Sequence, residues 1–352
     1  MLILDSRDAA GRIVGMVTLV VGAAIALLGA LKRSSASAAS HTGQQRRAYL
    51  RYLADVRRQL HRTASLQREM QLRSHPEPSD LRTTVNRRRQ LWERTLGDSD
   101  FLAVRFSTGP QPLVTPLVTP AIPAGADPVS ADALTSLVQE YGTLQELPMA
   151  VALSAFSHIH LHGNDGERIR NLARTIIAQL VTFHGPDDVR VLVYAQPDQS
   201  HEWEWIDHLP HAGPIFDEGI SDVISGLAED ASEFAQLISG IREQAPYDAS
   251  GAIVRPHFLV LCDTAAIPSE ASWLLDEGRM GVTLVRISPD SQERTTGALR
   301  ITVTDVDLRA EVRGGTTYTG EPDALTIRQV TRLARDLSRL CLADNQNERS
   351  SG

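Results

Sequence analysis

The residues closest to chemistry lie in one stretch, where the alternating run His158-Ile159-His160-Leu161-His162 leads into Gly163-Asn164-Asp165-Gly166 and then into a long amphipathic segment, residues 167–183. A strand, a glycine-containing turn and a helix N-terminus form a phosphate cradle, because the first helical N–H groups are free and the helix dipole is positive there. The loop that does this in nucleotide hydrolases reads GxxxxGK[ST]. Counting from Gly163, Arg168, Ile169 and Arg170 stand where that pattern needs glycine, lysine and a hydroxyl residue. Ile169 cannot supply the cation, and Arg168 places a side chain where the backbone must approach phosphate. Gly163, Gly166, Arg168 and Arg170 are thus candidates for a degenerate nucleotide site, with the arginines as fixed charges on phosphate. Weak ATP binding or none is expected, and no hydrolysis.

A second candidate is Asp263, at the end of the apolar run Phe258-Leu259-Val260-Leu261-Cys262. An acid there can hold magnesium, although Thr264, not a second acid, follows it; alternatively Asp263 only caps the next turn. His158, His160 and His162 alternate, so a strand would place all three imidazoles on one face, and that spacing can hold a transition metal. No acidic partner is spaced nearby in the manner of a metal motif, so no metal site is expected. Trp203, Trp205 and the turn His208-Leu209-Pro210-His211 either pack over a sheet edge or offer a docking surface.

These residues need a scaffold of alternating strands and helices. Strand patterns fall at residues 100–107, 150–155, 158–162, 189–194, 257–262, 281–287 and 299–306, and helical patterns at 130–141, 167–183, 220–242 and 324–340. Such alternation predicts an α/β domain with a mostly parallel sheet covered on both faces. Asp263 then lies two core strands after the glycine turn, as in a P-loop-like fold.

Upstream, the stretch IVGMVTLVVGAAIALLGAL (residues 13–31) carries no charge; at about 1.5 Å per residue it is about 28 Å long, enough to span a bilayer core. A cleaved signal peptide is the competing reading, but Lys32 and Arg33 stand before the small residues that follow. The basic residues after the run, Lys32, Arg33, Arg46, Arg47 and Arg51, place the C-terminal side in the cytoplasm. Tyr49, Leu53, Val56, Leu60 and Met70 make a narrow apolar stripe on an arginine-rich, stalk-like helix, which His75-Pro76-Glu77-Pro78 breaks. A second helix starts near Ser79 or Asp80 and carries Leu81, Val85, Trp92 and Leu96, giving a hairpin. The expected division is an anchor over 1–33, a linker and stalk over 34–96, and an α/β domain over 97–352.

Composition narrows the setting. Residues 41–96 hold thirteen arginines against five acids, and residues 97–352 eighteen against thirty-six, so a basic stalk precedes an acidic domain. Lys32 is the only lysine, which removes lysine chemistry from the soluble part. The two cysteines, Cys262 and Cys341, sit far apart in apolar segments and fit a reducing compartment.

The ordered blocks RRAYLRYLADVRRQLHRTASLQREM, HPEPSDL, RRRQLWER, DSDFLAVRFSTG, TFHGPDDVRVLVY and EWEWIDHLPH resemble the N-terminal half of EccC, the membrane-anchored FtsK/SpoIIIE-like ATPase of type VII (ESX) secretion systems in actinobacteria. The resemblance implies an anchor, a stalk and a degenerate P-loop-like domain, with the ATPase modules of that family absent here and supplied by a separate chain. It also implies contacts with other ESX core membrane proteins, an oligomer within the complex, and no nucleic-acid partner. The family usually has two adjacent transmembrane helices, and one is found here. On this reading the chain is a structural and coupling component, not itself an enzyme; the alternative is a membrane-tethered nucleotide or metal hydrolase.

Overall fold

The computed structural model describes residues 3–4, 19–20, 38–115, 117–118, 121–122, 126–213, 225–276, 278–288, 298–312, 315 and 317–350. The chain divides into two compact units. One comprises Gly11–Ser74 and Gly109–Leu147, the other Leu2–Ala10, His75–Thr108 and Pro148–Gly352.

In the first unit a long helix α1 (Ala38–Ser74) packs on a shorter helix, Pro128–Tyr141. Most of the stripe predicted on α1 is buried: Tyr49, Leu53, Val56 and Leu60, joined by Ala64, meet Leu134, Leu137 and Tyr141, with Leu113, Leu144 and Leu147 completing the cluster, whereas Met70 is exposed. Each such leucine contributes roughly 1.5–3 kcal/mol on burial. The shorter helix is started by Asp127, which accepts from the Ser130 backbone N–H at 3.0 Å, and by Pro128 in the first turn. Arg46 of α1 pairs with the same carboxylate.

The helix after the proline break is shorter than expected. Helix α2 (Leu81–Arg87) stops at Arg88, whose backbone is left-handed (φ 50°), so Trp92 and Leu96 lie beyond it. Leu81 and Val85 are buried in the core of the second unit, not on a free hairpin.

Among the described residues the strands are β1 (Ile3–Leu4), β2 (Leu19–Val20), β3 (Ala103–Pro112), β4 (Leu117–Val118), β5 (Thr143–Ala152), β6 (His158–Gly163), β7 (Val189–Ala195), β8 (Leu227–Ala228), β9 (His257–Asp263), β10 (Val282–Ile287), β11 (Ala298–Val303), β12 (Leu308–Val312) and β13 (Thr317–Pro322). Eleven form one sheet in the order β1-β5-β3-β13-β12-β11-β6-β10-β9-β7-β8. From β11 to β8 every neighbouring pair is parallel, whereas β11-β12, β12-β13 and β13-β3 are antiparallel. The mostly parallel α/β architecture is as expected.

The parallel strands are apolar on both faces because both are covered. On one face Val191 and Val193 of β7 and Leu259 and Leu261 of β9 meet helix α4 (Gly166–Phe183; Pro128–Tyr141 being α3), which contributes Leu172, Ile176 and Leu180. The closing helix, Ile327–Ser350, adds Val330, Leu333, Ala334 and Leu337 at helical spacing to the same core. On the other face Leu192, Tyr194, Val260 and Cys262 meet Phe234 and Leu237 of α5 (Ala231–Leu237) and Leu274 of α6 (Trp273–Asp276); the closing helix is α7.

Two further expectations need correction, and a third falls mostly outside the described residues. The helical pattern over 220–242 is helical only at Ala231–Leu237 with a 3-10 turn at Ser239–Ile241, while Leu227–Ala228 is a strand and residues 214–224 lie outside the described residues. The strand expected at 150–155 is β5, which begins at Thr143 and ends at Ala152 before a 3-10 turn. Most of residues 13–31, the expected span, lie outside the described residues; the two that are described, Leu19 and Val20, pair as β2 in parallel with β4. Among the described residues no helix is long and apolar enough to cross a membrane.

Candidate functional site

Gly163, Gly166, Arg168, Arg170 and Asp263 fall at one edge of the sheet, where the parallel strands end. Register places Leu161 of β6, Ile287 of β10 and Asp263 of β9 side by side, and α/β sheets present ligand-facing groups at this edge. Gly163 ends β6 beside Val303 of β11, and a Cβ there would stand 2.1 Å from the Val303 carbonyl oxygen. Glycine is therefore required for strand approach, whatever else it does.

Asp165 caps α4, its Oδ1 accepting from the backbone N–H of Glu167 at 2.9 Å and of Arg168 at 3.2 Å. An internal carboxylate thus takes the donors that a phosphate would use. Ile169, at the lysine position, is buried in the core. Arg168 is half-buried, and its Nε is a buried donor without a hydrogen-bond partner.

Arg170 and Asp263, 93 residues apart, meet. Arg170 Nε donates to Asp263 Oδ2 at 2.7 Å and Nη2 approaches Oδ1 at 3.5 Å. Burial alone would weaken the hold of Arg170 on its proton, but the hydrogen bond and charge of Asp263, with Glu202 and Glu167 beyond, more than offset it and the net shift is upward.

Trp203 joins this pair, its Nε1–H donating to Asp263 Oδ2 at 2.9 Å from a fully buried indole. Arg174, also fully buried, lies 5.7 Å from the centre of the Trp203 ring. Its guanidinium pairs with Glu202 and Glu167 and donates to Asn171 Oδ1 at 2.8 Å. The arrangement is a chain of alternating charges running from Asp263 along one side of α4. It can hold an anion or a cation only by exchanging an internal partner for an external one.

The three histidines of β6 are engaged. His158 Nε2 lies 2.6 Å from the Leu274 carbonyl and its Nδ1 2.8 Å from Ser157 Oγ, so the ring donates at Nε2 and accepts at Nδ1. His162 Nε2 lies 2.9 Å from Thr302 Oγ1, and burial, with Arg300 nearby, lowers its pKa. Among the described residues no group of three or more His, Cys, Asp or Glu side chains is placed to hold a metal ion. Trp203 and Trp205 are buried, so the docking surface considered for them does not form.

No protein-family model matches the sequence. Among curated proteins the chain is similar to the ESX secretion system protein EccC of Thermomonospora curvata, 31% identical over 333 residues, covering 92% of this chain and 25% of that protein. It is also similar to the ESX-3 secretion system protein EccC3 of Mycobacterium tuberculosis, 31% identical over 307 residues, covering 84% and 23%. The chain thus spans about a quarter of the length of these relatives. Among solved structures it is similar to T. curvata EccC (ATPases 2 and 3) in complex with a signal sequence peptide, with a TM-score of 0.41 and 12% identity, covering 68% of this chain and 47% of that one. The expectation that the chain is not an enzyme is overturned here. Its homologues are EccC proteins of ESX secretion systems, and nothing among the described residues shows the present chain to lack activity.

Proposed function

Because the chain is an EccC homologue of ESX secretion systems, we propose that it is a membrane-anchored coupling component of a type VII secretion complex, with an atypical nucleotide corner in its α/β domain. The corner comprises Gly163, Gly166, Arg168, Arg170 and Asp263. One observation carries this reading: within the order β11-β6-β10-β9-β7, the turn after β6 and the carboxylate ending β9 are brought together by the Arg170–Asp263 pair. That is the P-loop-like placement, with the strand bearing the glycine turn and the strand bearing the acid separated by one other.

The roles divide by chemistry. Arg168 and Arg170 are the charges available to phosphate oxygens, as forked donors matched to them. Asp263 is the carboxylate available to a divalent cation, which would neutralise phosphate charge when bound. ATP is the nucleotide proposed, held weakly because Asp165 competes for the first helical N–H groups. The partners proposed are other ESX core membrane proteins and ATPase modules of the same system, within an oligomeric assembly, and residues 13–31 are the proposed anchor with the α/β domain on the cytoplasmic side.

Photolabelling of the full chain with an azido-ATP probe, followed by peptide mapping, tests the corner. Labelled peptides should come from residues 158–174 or 257–266 and be displaced by ATP. Labelling confined to other segments would overturn the assignment.

A further inference from the structure

Asp263 is the end of a central parallel strand, where a carboxylate is well placed to meet a ligand, yet both its oxygens are approached by internal donors. Arg170 Nε, from α4, at 2.7 Å and the Trp203 indole N–H at 2.9 Å both converge on Oδ2, Arg170 Nη2 stands 3.5 Å from Oδ1, and the side chain is only 5% exposed. Trp203 is itself fixed. Its ring lies against Arg174, and Arg174 is held by Glu202, the residue preceding Trp203, and by Glu167 and Asn171 on its own helix. Of the three residues that meet at the carboxylate, Arg170 is the most exposed, its side chain being 18% exposed and lying beside the turn that begins α4, against 5% for Asp263 and a fully buried Trp203.

We propose that Arg170 and Trp203 form a latch on Asp263, and that a magnesium nucleotide enters the corner only when the Arg170–Asp263 pair parts. In the closed state seen here Asp263 Oδ2 and Arg170 Nε are committed to each other, and burial of the carboxylate keeps Oδ1 from a cation. Parting exchanges one charge-assisted pair for two, arginine to phosphate and carboxylate to magnesium, so the ligand supplies the differential affinity that a shift between states requires. Trp203 sets the balance, since its indole hydrogen bond favours the closed carboxylate position and is lost on opening. This inference rests on the reading of the corner as a nucleotide site.

The test is titration of the detergent-purified full chain with AMP-PNP, with magnesium or with EDTA, in wild type and in Trp203→Phe, Arg170→Lys and Asp263→Asn variants. Trp203→Phe removes one donor from the closed state, and Arg170→Lys loses the fork that grips the carboxylate while keeping a single-point charge for phosphate, with Arg168 still a forked donor. Both should bind the magnesium complex tighter than wild type, by about tenfold if the latch is closed most of the time. Indole fluorescence of the wild type should change on binding, and that change should be reduced in Trp203→Phe. In Asp263→Asn, affinity should no longer depend on magnesium. If wild type binds as tightly as the two latch variants, the latch is wrong while the nucleotide reading stands. If no protein binds at millimolar concentration, both fall. The latch variants remove different donors, so failure of one to fold leaves the other to decide.

Discussion

Arg105 and Asp323 form a buried fork, with Nε donating to Oδ2 at 2.8 Å and Nη2 to Oδ1 at 3.0 Å. The pair ties β3 to the segment between β13 and α7, and Arg105 Nη1 also donates to the His75 carbonyl at 3.1 Å. Burial raises the Asp323 pKa, with Arg105 opposing it. Removing one partner leaves a charge buried alone, so Arg105→Ala should destabilise the protein by about 3–5 kcal/mol, and the double replacement with Asp323→Ala by less than the sum. Urea unfolding of the three variants measures this; additive losses would mean that the two residues act independently.

Four buried histidines make stability depend on pH. Burial first, with nearby positive charge, lowers His75 and His211 to about 3; burial against a favourable Leu180 hydrogen bond lowers His184 to about 4; burial lowers His257 to about 3. Between these values and the ordinary 6.5 the unfolded chain binds more protons than the folded one, so stability falls as pH drops below about 6.5, by about 1.4 kcal/mol per unit for each group, until the folded pKa is reached. The urea midpoint should be lower at pH 5.5 than at pH 7.5. His257→Gln should make that difference smaller, and equal midpoints in the wild type would contradict the assignment.

The two glycines of the corner should behave differently. Gly163→Ala places a methyl 2.1 Å from the Val303 carbonyl, where only a shift of backbone between β6 and β11 can make room, at a cost of about 3 kcal/mol. Gly166→Ala meets the Arg170 guanidinium at 3.3 Å, the far end of a long side chain, in the first turn of a helix, and should change stability by less than about 0.5 kcal/mol. Thermal denaturation separates them. Equal losses would show that the close approach of β6 to β11 is not what fixes Gly163.

The regular elements were legible where periodicity was strong. Residues 167–183 and 257–262 read correctly to within one residue of α4 and β9, because their apolar positions follow helical spacing in one case and run continuously in the other. Strands β12 and β13 escaped notice. The second, Thr317–Pro322, is half exposed along its length and contains Gly320 and Pro322, so it carries no apolar signal. The helix over 220–242 was overread because Leu237, Ile238 and Ile241 keep a helical rhythm through what is an α-helix of seven residues followed by a 3-10 turn. At the site, Arg170 and Asp263 were each identifiable, but their meeting across 93 positions was not. Trp203 was missed as a partner of Asp263; its only signal is that a buried indole needs an acceptor for its N–H.

The proposed place of this chain in a secretion complex is tested most directly by recovering the tagged full chain from native membranes in mild detergent and identifying what accompanies it by mass spectrometry. The account predicts membrane-fraction recovery together with other ESX core membrane proteins, lost when residues 13–31 are deleted. A chain found free of the membrane fraction, or recovered with no ESX component, would contradict it.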